Sequence, residues 1–515
     1  MIHQDAWILQ ASQQRALDDA SVGAGTSADR LMESAGLHAS EWILERLCPR
    51  TAVILAGPGG NGGDAFVVAR HLFQAGVAVH VFCRSRIEAC NLLTQTMVKQ
   101  FMDLDSSIHI FPLDHVTLAD AVNKADCVID GLFGSGLSRS LTDADAATCR
   151  LLNTSDTTTI SLDVPSGVAS DTGADLGPAV RADFTLAMAF YKPCHWLYPA
   201  AASCGDVQII GVNYPAAGLA DVLPTAIVPN TRSISAMLPN RPPTGHKGSF
   251  GQVLVVAGSQ GMTGAAILCS RGALRTGAGL VTVALPEAIA SVVQAAIPEA
   301  MTLSLPDCEG RLADSSLIEE LLATIQRADV IAIGPGLGRD SATLENVRRI
   351  LEAANGRLVI DADAIHALVG HEDLLTSLAG RALLTPHPGE FAALVDSSSR
   401  DVDAQRLERV AAFSAEHRIH LILKGRPTVI GIPDNPLTVN PTGNTGLATG
   451  GSGDVLTGLM AGLLASGSSP DEAAVAAPFI HGLAADRWAL ERSERSLMPS
   501  DILEDLPKLL KELES

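Results

Sequence analysis

Short β-branched runs that each stop at a glycine- or aspartate-bearing turn, with amphipathic stretches between them, constrain this chain most. Residues 51–56 (TAVILA), 77–82, 125–130 (ADCVID) and 158–162 (TTISL) read as strands. Residues 63–74 read as a helix, with Phe66, Ala69 and Phe73 on one face and Gly76 as its stop. Strands alternating with helices need crossover connections, so they pair mainly in parallel and are covered on both faces. The alternation fails between residues 210 and 248, where prolines stand at 215, 224, 229, 239, 242 and 243. It restarts with strand-like runs at 252–257, 280–284, 329–333, 358–360, 382–384 and 421–423, and residues 499–515 read as an amphipathic terminal helix. The 515 residues are therefore expected to form two α/β domains, at 1–222 and 228–515.

Composition narrows the partners. A net charge of -21 and an aromatic content of 4% argue against nucleic acid, which needs a basic footprint or stacking platforms. No apolar run approaches the ~20 residues of a membrane span. The first residues, Met1-Ile-His-Gln-Asp-Ala-Trp7, lack the basic and apolar regions of a secretory leader. Nine cysteines are scattered without a CxxC pair, which fits reduced thiols in a cytoplasmic protein and offers no zinc framework.

The chemistry-bearing residues fall at strand ends. Gly57-Pro-Gly-Gly-Asn-Gly-Gly-Asp64 follows a strand and opens a helix. Gly57, Gly59 and Gly62 satisfy GxGxxG, but the next strand ends near Arg84 and Arg86 with no acid for a ribose, so a dinucleotide fingerprint is incomplete. Asp130 precedes Gly131-Leu-Phe-Gly-Ser-Gly-Leu137, and Asp163 sits in Leu162-Asp-Val-Pro-Ser-Gly167. Any one such Asp is ordinarily a cap or turn residue. Asn61, Asp64, Asp130, Asp163 and Ser166 on one sheet edge make an oxygen-rich set suited to a hard cation rather than zinc.

In the second half, residues 443–458 crowd glycines into one loop, followed by Asp454 and an apolar run. A glycine loop that opens a helix offers free amides and dipole charge to a phosphate. A carboxylate there would repel phosphate, so Asp454 reads as the base that deprotonates the attacking group. Gly334-Pro-Gly-Leu-Gly338, Asp361-Ala-Asp363, Thr385-Pro-His-Pro-Gly-Glu390 and Lys424-Gly-Arg-Pro-Thr428 also follow strands. Lys424 suits a nucleotide phosphate and His387, stiffened between prolines, suits substrate positioning; a solvated lysine and a turn histidine are the bland alternatives. No Walker A motif occurs.

These segments together resemble the bifunctional NAD(P)H-hydrate repair enzymes. The N-terminal half is similar to the YjeF-N epimerase domain through Leu31-Met-Glu-Ser-Ala-Gly36, residues 57–64, residues 130–137 and Asp163-Val-Pro-Ser-Gly167. The C-terminal half is similar to the ribokinase-like, nucleotide-dependent NAD(P)HX dehydratase through His246-Lys-Gly248, residues 258–278 and the segments just named. The resemblance implies an N-terminal Rossmann-like αβα sandwich and a C-terminal ribokinase-like α/β domain. In the first, Gly60, Asn61, Gly62, Gly63, Asp64, Gly134, Ser135, Gly136, Leu137, Ser138, Arg139 and Ser140 would hold the hydrated nucleotide. Asn61, Asp130 and Ser166 would bind K+, and Asp163 would contact substrate and do acid/base work in exchanging the R and S epimers at C6. In the second, Ala265, Gly336, His387 and Asp454 would contact substrate, while Lys424, Gly425, Arg426, Pro427, Thr428 and Gly453 would bind nucleotide. The implied partners are NADHX or NADPHX and ADP with Mg2+, giving AMP and phosphate, in a homo-oligomer. The chain departs from the family at Gly60 and Ala65, where Asn and Gly are usual, and at Lys192-Pro-Cys-His195, where Lys-Pro-Gly is usual.

Two other readings remain open. A ribokinase-like kinase of a vitamin precursor or sugar would share the Asp454 loop, but would not ordinarily carry the N-terminal half. That half could instead be a non-catalytic dimerisation module, against which the presence of Asn61, Asp130 and Asp163 counts.

Overall fold

The computed structural model describes residues 7–312 and 319–514. Most of the N-terminal stretch read for a leader, and Ser515 of the expected terminal helix, lie outside them. The chain forms two compact units, Met1–Ile227 and Val228–Ser515.

The first unit is built on a 7-stranded sheet. Its strands are β1 (Thr51–Ala56), β2 (Ala78–Cys83), β3 (Ile110–Pro112), β4 (Cys127–Gly131), β5 (Thr158–Leu162), β6 (Phe184–Met188) and β7 (Asp206–Ile210), in the order β3-β2-β1-β4-β5-β6-β7. Every pairing is parallel. Alternate residues of β1 serve two cores: Ala52, Ile54 and Ala56 join one cluster, Val53 and Leu55 the other. This explains why the strand reads as a continuous apolar run. The strand order reverses beside β1, so the turns after β1 and β4 leave a crevice between them. The helix expected at 63–74 begins earlier, at Gly60, because the glycine loop supplies its first turn.

In the second unit, besides a small antiparallel pair at Asp307–Cys308 and Arg311–Leu312, the strands of the main sheet are β8 (Gln252–Val256), β9 (Leu280–Pro286), β10 (Met301–Leu305), β11 (Val330–Ile333), β12 (Arg357–Ile360), β13 (Ala382–Leu384), β14 (His420–Leu423), β15 (Thr428–Gly431) and β16 (Leu437–Asn440). They run in the order β16-β15-β14-β13-β12-β11-β8-β9-β10. From β14 to β16 the pairing is antiparallel, so residues 424–427 form a hairpin turn rather than a strand-to-helix turn. The reversal of order beside β8 brings the turns after β8 and β11 together. Gly258 N donates to Pro335 O at 2.8 Å and Ser259 Oγ to Gly336 O at 2.7 Å.

Helix Ser452–Ser466, which carries Asp454, is buried along most of its length against helix Thr263–Arg275. Gly458 and Gly462, one turn apart, permit that approach: a Cβ at Gly458 would stand 2.1 Å from Cys269 O, and one at Gly462 2.0 Å from Thr276 Oγ1. Gly458→Ala is expected to cost about 3 kcal/mol, since the obstacle is backbone and cannot rotate aside. Urea unfolding of the variant against wild type measures it. The terminal helix spans Pro499–Leu513. Among the described residues no helix is long and apolar enough to cross a membrane. Seven of the nine cysteines are buried free thiols, with Cys48 and Cys308 exposed.

Candidate functional site

At the crevice of the first unit lies a cavity of about 560 Å³. Gly60, Asn61 and Asp64 line it from the first turn of helix Gly60–Gln74, Gly134 to Arg139 line it from the turn after β4, and Asp163 from the end of β5. The amide Nδ2 of Asn61 donates to Phe133 O at 2.9 Å and ties the two turns together. Gly62, Gly63 and Ser140 do not line the cavity. Gly62 is a packing glycine, with space for a Cβ only 1.8 Å from Gly57 O, and Gly63 meets Met32. A Cβ at Gly60 meets nothing, so a side chain there would fit; Ala65 packs its methyl against Gly131.

Asp130 and Ser166 lie beneath the cavity, both fully buried. Asp130 accepts from Ser161 Oγ (2.9 Å), Ser166 N (2.9 Å), Ser166 Oγ (2.6 Å) and Leu132 N (3.3 Å), so both its oxygens are occupied. Asn61 Oδ1 is buried without a hydrogen-bond partner among the described residues. The Ser166 hydroxyl and the Phe133 carbonyl lie 3.5 Å apart, and with the Asn61 oxygen they are donors of the kind a hard cation takes. Asp130 contributes charge there rather than a free ligand atom.

Asp163 is held in a left-handed backbone conformation, φ 63°. Its carboxylate is ion-paired at 2.6 Å with Lys192 Nζ, whose side chain is 1% exposed. The same ammonium donates to Met188 O and Phe190 O at 2.9 and 3.1 Å. Burial opposes the charge on Asp163, but Lys192, His195 and the Ser135 amide together hold the carboxyl below its ordinary range. Ser135 N adds a hydrogen bond at 3.3 Å. The Lys192-Pro-Cys-His195 segment now has a purpose. His195 Nδ1 accepts Lys192 N–H at 3.0 Å, so Nε2 carries the proton and donates to Asp163 O at 2.8 Å. Burial and the Lys192 charge bring His195 down to about 4, which keeps it neutral. Asp64 goes the other way: burial and the neighbouring Asp163 push it well above the ordinary carboxylate value.

Lys192, noted in sequence only as part of a segment that departs from the family, lines this cavity, as do Gln14, Asp18 and Tyr214, which no sequence feature marks. Lys192 follows β6, whose sequence FTLAM carries no strand-ending turn signal. Gln14 and Asp18 lie on helix Ala11–Gly23 and Tyr214 beyond β7, so no local motif joins them. A lysine soon after a parallel strand was the one available signal.

In the second unit the polar strand ends converge on one network. A Cβ at Gly336 would be 2.9 Å from that of Ala265. Gly338 N and Arg339 Nε donate to Asp363 at 2.9 and 2.7 Å. Asp361, on β12's exit, accepts from Lys424 Nζ (2.7 Å), Thr385 Oγ1 (2.7 Å) and Thr457 Oγ1 (2.8 Å). The charge of Lys424 is thus already shared with Asp361, and Glu390 lies 4.0 Å away. His387 caps helix Pro388–Leu394, its Nδ1 accepting from Gly389 N and Glu390 N, with Glu390 Oε1 at 3.3 Å from Nε2. Arg406, beneath the hairpin turn, donates to Lys424 O and Pro427 O at 2.7 and 3.2 Å.

Helix Ser452–Ser466 starts from Gly451 in the left-handed region (φ 97°); Ser452 N donates to Thr449 O, and no side chain caps the Gly453 and Asp454 amides that follow. Asp454 sits in that first turn. Burial, then the negative charge of Asp361, raise it to about 6, with Lys424 opposing. A carboxylate near neutrality beside free helix amides and a lysine can take a proton from a hydroxyl that attacks a phosphoryl group.

Comparison with known proteins matches both units. Residues 253–508 match the family described as NAD(P)H-hydrate dehydratase, and residues 28–194 the YjeF-related protein N-terminus. The bifunctional NAD(P)H-hydrate repair enzyme Nnr of Moorella thermoacetica is 37% identical over 490 residues, 94% of this chain and 92% of that one. The protein of the same name from Thermofilum pendens is 32% identical over 509 residues, 98% of this chain and 96% of that one. A solved ADP/ATP-dependent NAD(P)H-hydrate dehydratase from Bacillus subtilis, co-crystallized with ATP/Mg2+, is 32% identical and covers 55% of this chain and 98% of its own, with a TM-score of 0.48.

Proposed function

The chain belongs to the bifunctional NAD(P)H-hydrate repair enzymes, and on that premise we propose that it returns both epimers of hydrated NAD(P)H to the reduced coenzyme. The first unit interconverts the R and S epimers. The second dehydrates the S epimer, consuming ADP and releasing AMP and phosphate.

The observation that carries this reading is Asp454, a carboxylate lifted to about 6 at an uncapped helix start beside Lys424. Asp454 takes the proton of the C6 hydroxyl, and the freed oxygen attacks the terminal phosphoryl of ADP. The amides of Gly453 and Asp454 stabilise the charge on the transferred group. The ring nitrogen's electron pair then expels phosphate from C6, and loss of a C5 proton restores the dihydropyridine. The hairpin turn Lys424 to Thr428, braced by Arg406, is the proposed nucleotide seat. Asp361 and Asp363 are occupied by internal donors, so Mg2+ would be held chiefly by the nucleotide's own phosphates. When bound it neutralises phosphate charge.

In the first unit, Asp163 handles the C6 hydroxyl proton as a carboxylate, with Lys192 keeping it ionised and His195 fixing its backbone. A potassium ion would be held by Asn61 Oδ1, Phe133 O and Ser166 Oγ, near Asp130, and would add positive charge close to the bound nucleotide.

The test is incubation with mixed NADHX epimers, K+, Mg2+ and either ADP or ATP. Complete recovery of NADH under ADP is the expected result when spontaneous epimerisation is slow. Recovery that stops at the S fraction refutes the epimerase half; no recovery refutes the dehydratase half. The rate of dehydration of pure S epimer is also expected to fall on acidification with a midpoint near pH 6, since burial and Asp361 raise Asp454 to about 6 and protonation removes the base. A kcat profile flat from pH 7 to pH ~5 contradicts that assignment.

A further inference from the structure

The cavity of the first unit has a second polar wall that the assignments above leave idle. Tyr214 OH donates to Asp18 Oδ1 at 2.7 Å. Gln14 Nε2 reaches the same oxygen at 3.4 Å and also the Tyr214 hydroxyl. All three side chains line the cavity that Asp163 and Lys192 line. They come from opposite ends of the unit. Asp18 lies on helix Ala11–Gly23, whose start is anchored where Ala11 N donates to Asp171 Oδ1 at 2.8 Å. Tyr214 follows β7 and packs with Leu9, Leu17 and Phe190. Gln14 Oε1 is buried without a partner among the described residues.

Epimerisation at C6 needs more than one proton transfer. C6 carries both the hydroxyl and the ring nitrogen, and inverting it without redox change means breaking and remaking either its C6–O or its C6–N1 bond; a second carboxyl on another wall from Asp163 suits the ring-opening route through C6–N1. We propose that Asp18, held by Tyr214 and Gln14, is a further catalytic residue of the epimerase, the acid that protonates N1 as the ring opens. Asp163 takes the hydroxyl proton and the O–H pair becomes the second C=O bond of an aldehyde. The C6–N1 pair moves to N1, which takes a proton from Asp18. The aldehyde turns about the C5–C6 bond and N1 attacks its other face. The N1 proton returns to Asp18 and the hydroxyl proton returns from Asp163. Each group ends as it began.

The electrostatics agree with these roles. Burial raises Asp18 above the ordinary carboxylate value, with Asp163 adding to it and Tyr214, Gln14 and Lys192 opposing. Asp64 also faces Asp18, from helix Gly60–Gln74. Burial and the Asp18 charge push the Tyr214 phenol up, so it remains a donor. Asp18 biased toward the acid form, as Asp64 is, and Asp163 toward the carboxylate, in one cavity, is the arrangement that acid–base pairs use.

The proposal rests on the epimerase reading. Its test follows the conversion of R to S epimer across pH for wild type, Asp18→Asn, Asp18→Glu and Tyr214→Phe. Asp18→Asn is expected to lower kcat by about 100-fold or more with KM within threefold, and Asp18→Glu to recover part of it. Tyr214→Phe removes a hydrogen bond that favours the Asp18 carboxylate, so the alkaline limb of its kcat profile is expected to move up by about 0.5–1 pH unit. A merely structural tyrosine would leave that limb where it is. Asp18→Asn with kcat within threefold of wild type, a loss carried by KM alone, or an unmoved limb in Tyr214→Phe overturns the proposal. An inactive wild type would instead overturn the epimerase reading itself, and this proposal with it.

Discussion

Replacing Asp454 by Asn is expected to cut ADP-driven dehydration of the S epimer by roughly a thousandfold while leaving nucleotide affinity within a few-fold of wild type. The amide has the shape of the carboxylate and cannot take a proton. Folding is not the casualty here. Asp454 is raised by burial and by the like charges of Asp361 and Asp363, so its ionised form is an electrostatic burden on the folded unit. Removing that charge relieves repulsion, and thermal unfolding should come at the same temperature or higher. Nucleotide affinity should hold because the proposed seat, residues 424 to 428, is positioned by Arg406 and Asp361 rather than by Asp454. Single-turnover dehydration and nucleotide titration on one preparation separate these effects. A variant that consumes S-NADHX at the wild-type rate would show that the proton leaves by another route.

The legible parts of the fold are those where local sequence and tertiary demand coincide. β1 and β5 sit at 51–56 and 158–162 as read, because a strand buried on both faces needs an unbroken apolar run. β6 (FTLAM) escapes because no glycine or aspartate turn follows it, and the antiparallel β15 and β16 because four residues each are too few to show a period. Lys424 therefore follows its strand as read, but in a hairpin turn that the unread β15 closes. The site follows the same rule. Glycine loops and the acids beside them announce themselves, since backbone crowding such as Gly57 against Leu132 O, 1.8 Å from a would-be Cβ, admits only glycine. Asp18 and Tyr214 do not, since their hydrogen bond joins residues 196 apart and exists only once the sheet is closed. Lys192 falls between these cases: it stands in a segment singled out for departing from its family, and only the Asp163–His195 geometry says what that segment does.

The second large effect is expected at Asp163. Asp163→Ala should abolish epimer interconversion, by a factor on the order of a thousand or more, while pure S epimer is still dehydrated under ADP. The dehydration control matters because this substitution also strains its own unit. Lys192 is 1% exposed, and without its partner the ammonium keeps only the carbonyls of Met188 and Phe190. An unpaired buried charge of this kind costs about 3–5 kcal/mol, so lost activity alone could be lost folding. Asp163→Asn combined with Lys192→Met resolves the ambiguity. The double variant removes both charges, and an apolar chain of similar length can fill the lysine's path, so denaturant stability should return to within about 1–2 kcal/mol of wild type. Interconversion should not return, because an amide cannot accept the hydroxyl proton. If the restored fold brings activity back, Asp163 acts only through the fold, and the proton chemistry must pass to Asp64 or Asp18 in the same cavity.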